Sequence, residues 1–176
     1  MSDIAKHIRT IPHYPKEGIM FRDITSLLKD PQHYQQVVDE LAQKISHLDF
    51  DMIAGVEARG FILGSALAYK MKKSFLPVRK KGKLPGKTIS KSYSLEYGED
   101  QLEVHVEDVQ AHQKILVVDD LLATGGTILC AIDLLKTLQA EIVGTAFIVD
   151  LPELNGSQKL KSHDIKVFTL CEFSGH

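Results

Sequence analysis

Val117-Val118-Asp119-Asp120-Leu121-Leu122-Ala123-Thr124-Gly125-Gly126-Thr127 carries the chain from an apolar strand, past two acids, into a turn of small residues and then a helix. Ile115 to Val118 reads as the strand, and Thr127 to Leu138 has helical spacing. Open α/β sheets bind ligands at such junctions, outside the carboxyl ends of the strands. Ala123, Thr124, Gly125, Gly126 and Thr127 can turn their backbone N–H groups toward one anion at the helix N-terminus, with two threonine hydroxyls as further donors. The segment lacks the lysine of a Walker loop and the spacing of a dinucleotide fingerprint, which favours a monophosphate. Asp119 and Asp120, at the strand edge, can accept hydrogen bonds from vicinal ribose hydroxyls and touch a hydrated Mg²⁺. Two acids alone would only solvate a strand end; the Thr-Gly-Gly-Thr that follows gives them a ligand.

Working outward, strands and helices alternate. Asp30-Pro31 is an N-cap and first-turn pair, and Val37, Val38, Leu41 and Ile45 predict a helix from Pro31 to about Ser46. Met52 to Val56 is a buried strand leading through Glu57-Ala58-Arg59-Gly60 into a helix from Phe61 to about Met71. Phe75 to Arg79 is the next strand, followed by a polar, basic stretch through Lys87. Alternation through Tyr93 to Tyr97, a turn at Gly98-Glu99-Asp100, and alternation through Leu102, Val104 and Val106 predict an antiparallel hairpin. Ile142 to Val149 and Val167 to Leu170 complete the strands. The pattern implies an α/β fold with a central parallel sheet flanked by helices and joined by right-handed crossovers. Residues 1–176 form one domain, with residues 1–30 as a small N-terminal hood and 80–106 as a flexible loop and hairpin.

The 21 Lys and Arg nearly balance 23 Asp and Glu, which argues against capture of nucleic acid or of an anionic membrane. The expected partners are small molecules. Cys130 and Cys171 fit no metal-ligand spacing and read as buried free thiols of a cytoplasmic protein. No apolar run reaches the roughly 18 residues of a membrane span.

The acid pair and its Thr-Gly cradle resemble the 5-phosphoribosyl pyrophosphate motif of type I phosphoribosyltransferases. Phe21-Arg22-Asp23-Ile24, Glu57-Ala58-Arg59-Gly60-Phe61, Arg79-Lys80-Lys81-Gly82-Lys83-Leu84-Pro85-Gly86 and Tyr93-Ser94-Leu95-Glu96-Tyr97-Gly98 narrow the likeness to the adenine phosphoribosyltransferases, over nearly the whole length. The resemblance implies that adenine displaces pyrophosphate from 5-phosphoribosyl 1-pyrophosphate to give AMP, with Mg²⁺ required and a homodimer as the assembly.

By the same resemblance Asp119 and Asp120 hold the ribose hydroxyls, with Mg²⁺ bound mainly through substrate, and Ala123 to Thr127 hold the 5-phosphate. Arg59 binds pyrophosphate, where a guanidinium fork suits paired oxygens. The Glu57–Ala58 peptide is expected to be cis. Arg79 and Lys83 assist at pyrophosphate, Lys83 from the neighbouring subunit. Glu96 is the general acid or base, brought in when residues 80–98 close and exclude water, and Tyr97 supports it. Phe21 stacks on the base, the backbone of Met20 and Arg22 reads the amino-purine edge, and Leu151 closes the pocket. The 6-oxopurine enzymes are expected to carry a lysine just after the strand ending near Asp150; Leu151-Pro152-Glu153-Leu154 has none, which favours adenine. Ala58 departs from the serine often found there and loses one hydroxyl contact. The tail Phe173-Ser174-Gly175-His176 is a candidate to fold toward the other subunit. The alternatives are an enzyme for another base and a non-catalytic sensor of the sugar pyrophosphate.

Overall fold

The structure, a computed structural model, describes residues 3–95 and 98–175. A 3-10 turn at Asp3–His7 precedes β1 (Arg9–Pro12), β2 (Met20–Asp23), α1 (Thr25–Leu28) and α2 (Pro31–Ile45). Then come β3 (Met52–Val56), α3 (Arg59–Met71), β4 (Ser74–Lys80), β5 (Thr88–Leu95), β6 (Gly98–His105) and β7 (Lys114–Val118). The chain ends through β8 (Leu121–Leu122), α4 (Gly126–Thr137), β9 (Glu141–Asp150), α5 (Gly156–Lys161) and β10 (Val167–Glu172).

Among the described residues β1 and β2 form an antiparallel ribbon, and the other strands form one sheet in the order β10-β9-β7-β3-β4-β6-β5, with β8 beside β9. β10, β9, β7, β3 and β4 are parallel, as the alternation predicts. β6 joins β4 antiparallel through Arg79↔Glu103 and Lys80↔Leu102, so the whole sheet is mixed. Period-two alternation divides the core. Ala54, Val56, Ile115 and Val117 face α4, whose Ile128, Ala131 and Leu135 are buried. Ile53, Leu116, Val118 and Ile148 face the opposite way, onto Leu41 and Ile45 of α2 and Leu63 and Leu67 of α3. β3 leads to β4 on one side while β7 leads to β9 on the other, so the strand order reverses between β3 and β7. Their loops part there and leave a crevice at their carboxyl ends.

α2 starts as its sequence requires: an Asp30 carboxylate oxygen accepts from the backbone N–H of Gln32 and His33, and Pro31 occupies the first turn. The hairpin differs from expectation. Gly98, Glu99 and Asp100 lie within β6 instead of forming the turn, and the register runs from Leu95↔Gly98 to Thr88↔His105. The core sets this register. Ile89 and Tyr93 pack with Leu102 and Val104 against the α4 side, and a one-residue slip would turn them over. Strands β5 and β6 thus make up most of the expected loop and hairpin at 80–106. The stretch between β4 and β5 is tied down by Glu103, which accepts from Lys83 N and Leu84 N, and by the 2.7 Å contact of His105 Nε2 with the Pro85 carbonyl.

Cys130 is buried, but Cys171 is only half-buried, because it lies on β10 at the sheet edge; burial still pushes its thiol up to about 11. The tail packs on its own chain: Phe173 N donates to the Asp150 carbonyl and Gly175 N to the Glu153 carboxylate. Among the described residues no helix is long and apolar enough to cross a membrane.

Candidate active site

The candidate phosphate cradle is built from chain ends. β7 stops at Val118, the two acids follow, and the short β8 pairs with β9 before the turn Ala123-Thr124-Gly125 opens α4. Gly125 is the N-cap, with φ 76°, a conformation that glycine adopts without penalty. No side chain caps this helix, so the N–H groups of its first turn remain available to an anion. Two features escape a reading of sequence. β8 buries Leu122 between the acids and the cradle. Gly156 lies against the turn: a Cβ there would fall on the Ala123 carbonyl oxygen and within 3.1 Å of Gly125 N. The only sequence signal for Gly156 is its place at the start of α5, beyond the cradle in the chain.

Asp119 and Asp120 stand at the mouth of the crevice. Burial, then the charge of Asp120, raises the Asp119 carboxyl well above its ordinary value, while the Asp120 N–H it accepts at 2.9 Å pulls the other way. Asp120 is 3% exposed. Burial raises its carboxyl too, opposed by Arg59, whose Nε lies 3.0 Å from Asp120 Oδ2. That contact is an ion pair without hydrogen-bond alignment, for Oδ2 has no hydrogen-bond partner. Among the described residues no cluster of three or more His, Cys, Asp or Glu side chains could hold a metal by itself. The two carboxylates do fit a hard cation that brings ligand oxygens of its own.

Arg59 begins α3, directly after the loop in which the Glu57–Ala58 peptide is cis, as expected. Its guanidinium carbon lies 5.3 Å from the centre of the Phe21 ring, so one side chain spans the acids and the aromatic face. Glu57 accepts from Arg79 Nε at 3.2 Å and from Lys80 N at 2.8 Å, and Arg79 Nη1 donates to the Lys83 carbonyl at 3.0 Å. The β3–α3 loop and the basic stretch are thereby tied together. The Lys83 side chain is exposed.

Of the residues expected at the base, Met20, Phe21 and Arg22 lie on β2. Phe21 is half-buried, with the Tyr14 ring edge-on at 5.2 Å. The Arg22 side chain is buried against Thr10 and the tail. Leu151 is buried, and its N–H donates to the Leu122 carbonyl just ahead of the cradle. Glu96 and Tyr97 lie outside the described residues.

The family model described as phosphoribosyl transferase domain matches residues 24–174, the stretch that holds the acid pair, Arg59 and the start of α4. An adenine phosphoribosyltransferase from Rhizobium johnstonii is 52% identical over 176 residues, 100% of this chain and 98% of the relative. The crystal structure of adenine phosphoribosyltransferase from Thermoanaerobacter pseudethanolicus is 43% identical with a TM-score of 0.93, covering 97% of this chain and 98% of that one. The Saccharomyces cerevisiae adenine phosphoribosyltransferase, solved with an imino-altritol bisphosphate and adenine, is 34% identical with a TM-score of 0.88, covering 97% of this chain and 100% of the other. The chain belongs to the phosphoribosyltransferase family, among the adenine phosphoribosyltransferases.

Proposed function

We infer that the protein is a purine salvage enzyme that transfers the 5-phosphoribosyl group of 5-phosphoribosyl 1-pyrophosphate to adenine, releasing AMP and pyrophosphate. The observation that carries this reading is the position of Arg59, 3.0 Å from the buried Asp120 and 5.3 Å from the Phe21 ring. Sugar ligand, leaving-group cation and aromatic face meet at that residue.

Asp119 and Asp120 accept hydrogen bonds from the ribose hydroxyls, and Ala123, Thr124, Gly125, Gly126 and Thr127 hold the 5-phosphate by main-chain N–H and hydroxyl donors. Phe21 stacks on adenine, the main chain of Met20 and Arg22 reads its amino-purine edge, and Leu151 closes the pocket. In the reaction the bond from the anomeric carbon to the pyrophosphate oxygen breaks, that carbon bonds to N9 of adenine, and the N9 proton is lost. Glu96, supported by Tyr97, takes the proton. Arg59 holds the departing pyrophosphate with Arg79, and Lys83 of a partner subunit completes the clamp in a homodimer. Asp119 and Asp120 would lie beside a Mg²⁺ carried by the substrate, which would supply charge neutralisation at the leaving group. The residues supply alignment and exclude water, and the enzyme works in the cytoplasm.

The test is AMP formation from adenine, the sugar pyrophosphate and Mg²⁺, with guanine and hypoxanthine as competing bases. Turnover with adenine alone is expected. Tight binding of the sugar pyrophosphate without turnover of any base would overturn the reading in favour of a sensor.

A further inference from the structure

Arg22 has a buried side chain with work that base reading by its main chain does not require. It is 8% exposed. Nη1 donates to Thr10 Oγ1 across the ribbon at 2.6 Å, and Nη2 donates to the carbonyl of Ser174 at 2.9 Å and of Gly175 at 3.4 Å. Its guanidinium carbon lies 4.4 Å from the centre of the Phe173 ring. Nε is buried with no hydrogen-bond partner, a cost that an apolar side chain filling the same space would avoid.

The tail that Arg22 grips is fastened at its other side to the segment around Leu151. Phe173 N donates to the Asp150 carbonyl at 3.1 Å, and Gly175 N donates to Glu153 Oε1 at 3.0 Å. Asp150 precedes Leu151 and Glu153 follows it by two positions. The contacts therefore run from the strand that stacks and reads the base, through Arg22, into Phe173–Gly175, and down to the loop that closes the pocket. A two-stranded ribbon is marginal by itself and needs such a fastening.

We propose that Phe173–Gly175 is a strap and that the Arg22 side chain is a positioning residue: together they hold β2 over the sugar-phosphate site and so set affinity and selectivity for the purine base. The proposal rests on the reading of β2 as the base reader. Main-chain donors and acceptors cannot change rotamer to follow a ligand, so a loosened strand must be ordered anew each time a base binds. That ordering penalty weakens base binding without touching the cradle, which is built between β7 and α4.

The experiment compares the full chain with a truncation ending at Glu172, with Phe173→Ala and Phe173→Tyr, and with Arg22→Lys. The readouts are the two KM values, kcat, and binding of AMP and of ribose 5-phosphate. The truncation, Phe173→Ala and Arg22→Lys are expected to raise the adenine KM about tenfold and to weaken AMP to match, with the sugar-pyrophosphate KM and ribose 5-phosphate binding within about twofold. Phe173→Tyr keeps the ring under the guanidinium and restores the adenine KM. An unchanged adenine KM, or a rise of both KM values together, overturns the strap. If the truncation does not fold, the Phe173 pair decides by the same criterion. A full-length chain that turns over no adenine would sink the functional reading instead, a separate outcome visible before any variant is made.

Discussion

The two halves of the proposed site, one for the sugar phosphate and one for the base, are built on different principles. The sugar-phosphate half is one unbroken segment, Asp119 to Thr127, whose groups are presented by the end of β7 and the start of α4 within the packed sheet. The base half is gathered from afar: β2 near the N-terminus, Leu151 after β9, and a tail that Arg22 reaches across 152 positions of sequence. The first needs mainly a strand end and a helix start, which local sequence can specify. The second depends on long-range links at the edge of the molecule. Apart from Gly156, which packs against the turn, binding of the sugar phosphate should therefore resist distant substitutions, while base binding should feel them.

Arg59 stands in both halves, so its loss should have the largest effect. Arg59→Ala is expected to lower kcat/KM for both substrates by about a thousandfold, since it removes a cation aimed at developing charge and strands the buried Asp120. Arg59→Lys should recover little, because an ammonium lacks the paired donors of the fork. Steady-state kinetics in both substrates measure this, and a loss confined to adenine would assign Arg59 to the base half alone. Next in size is Gly156→Ala. Its Cβ would push the Ala123 carbonyl and displace the cradle. The sugar-pyrophosphate KM should rise by about a hundredfold with the adenine KM nearly unchanged. Equal effects on both KM values would show that the halves are not independent.

That contrast also explains what could be read without coordinates. The strand end at Val118, the acids after it and the helix start at Gly126 were legible because a strand–helix junction draws its residues from one stretch of chain. The parallel core was legible from alternation, and α2 from Asp30-Pro31. The hairpin turn was misplaced because Gly98-Glu99-Asp100 has turn composition, whereas the register answers to Ile89 and Tyr93 meeting Leu102 and Val104 over α4. Gly156 gave no sign of its role, since its requirement is the absence of a Cβ beside Ala123, a neighbour 33 positions earlier. The Arg22 side chain was equally silent, because besides Thr10 its partners are two carbonyls and a ring at the far end of the chain.

A smaller effect lies at the root of the base half. The Thr25 hydroxyl, at 2.6 Å, and then Arg9 hold the Asp23 carboxyl at about 2, below its ordinary 3.8. A lowered carboxyl stabilises the fold above its unfolded value, and the contribution disappears as pH falls from about 4 toward 2. Asp23→Asn should cost about 2 kcal/mol near neutrality and progressively less in acid. Urea unfolding at pH 7 and pH 3 measures the difference. A constant gap between wild type and variant would mean that packing, not charge, is what Asp23 supplies to the ribbon.

The smallest effect has the opposite sign and belongs to the sugar half. Burial and the neighbouring acid raise the Asp119 carboxyl, so its charged form disfavours the ligand-free fold, and the penalty grows as pH rises through the folded value. Asp119→Asn keeps an oxygen for the Asp120 N–H and removes the charge. The ligand-free variant should be more stable than wild type at pH 8, with a smaller gain at pH 4, near the ordinary carboxyl value of 3.8, while its affinity for the sugar pyrophosphate falls. Thermal unfolding without ligands at the two pH values checks the sign. A variant less stable than wild type at pH 8 would mean that Asp119 is at ease where it sits. A more stable one would mean that the rigid half of the site holds a charge poised for the ribose and its cation, at a cost to the free protein that the base half does not share.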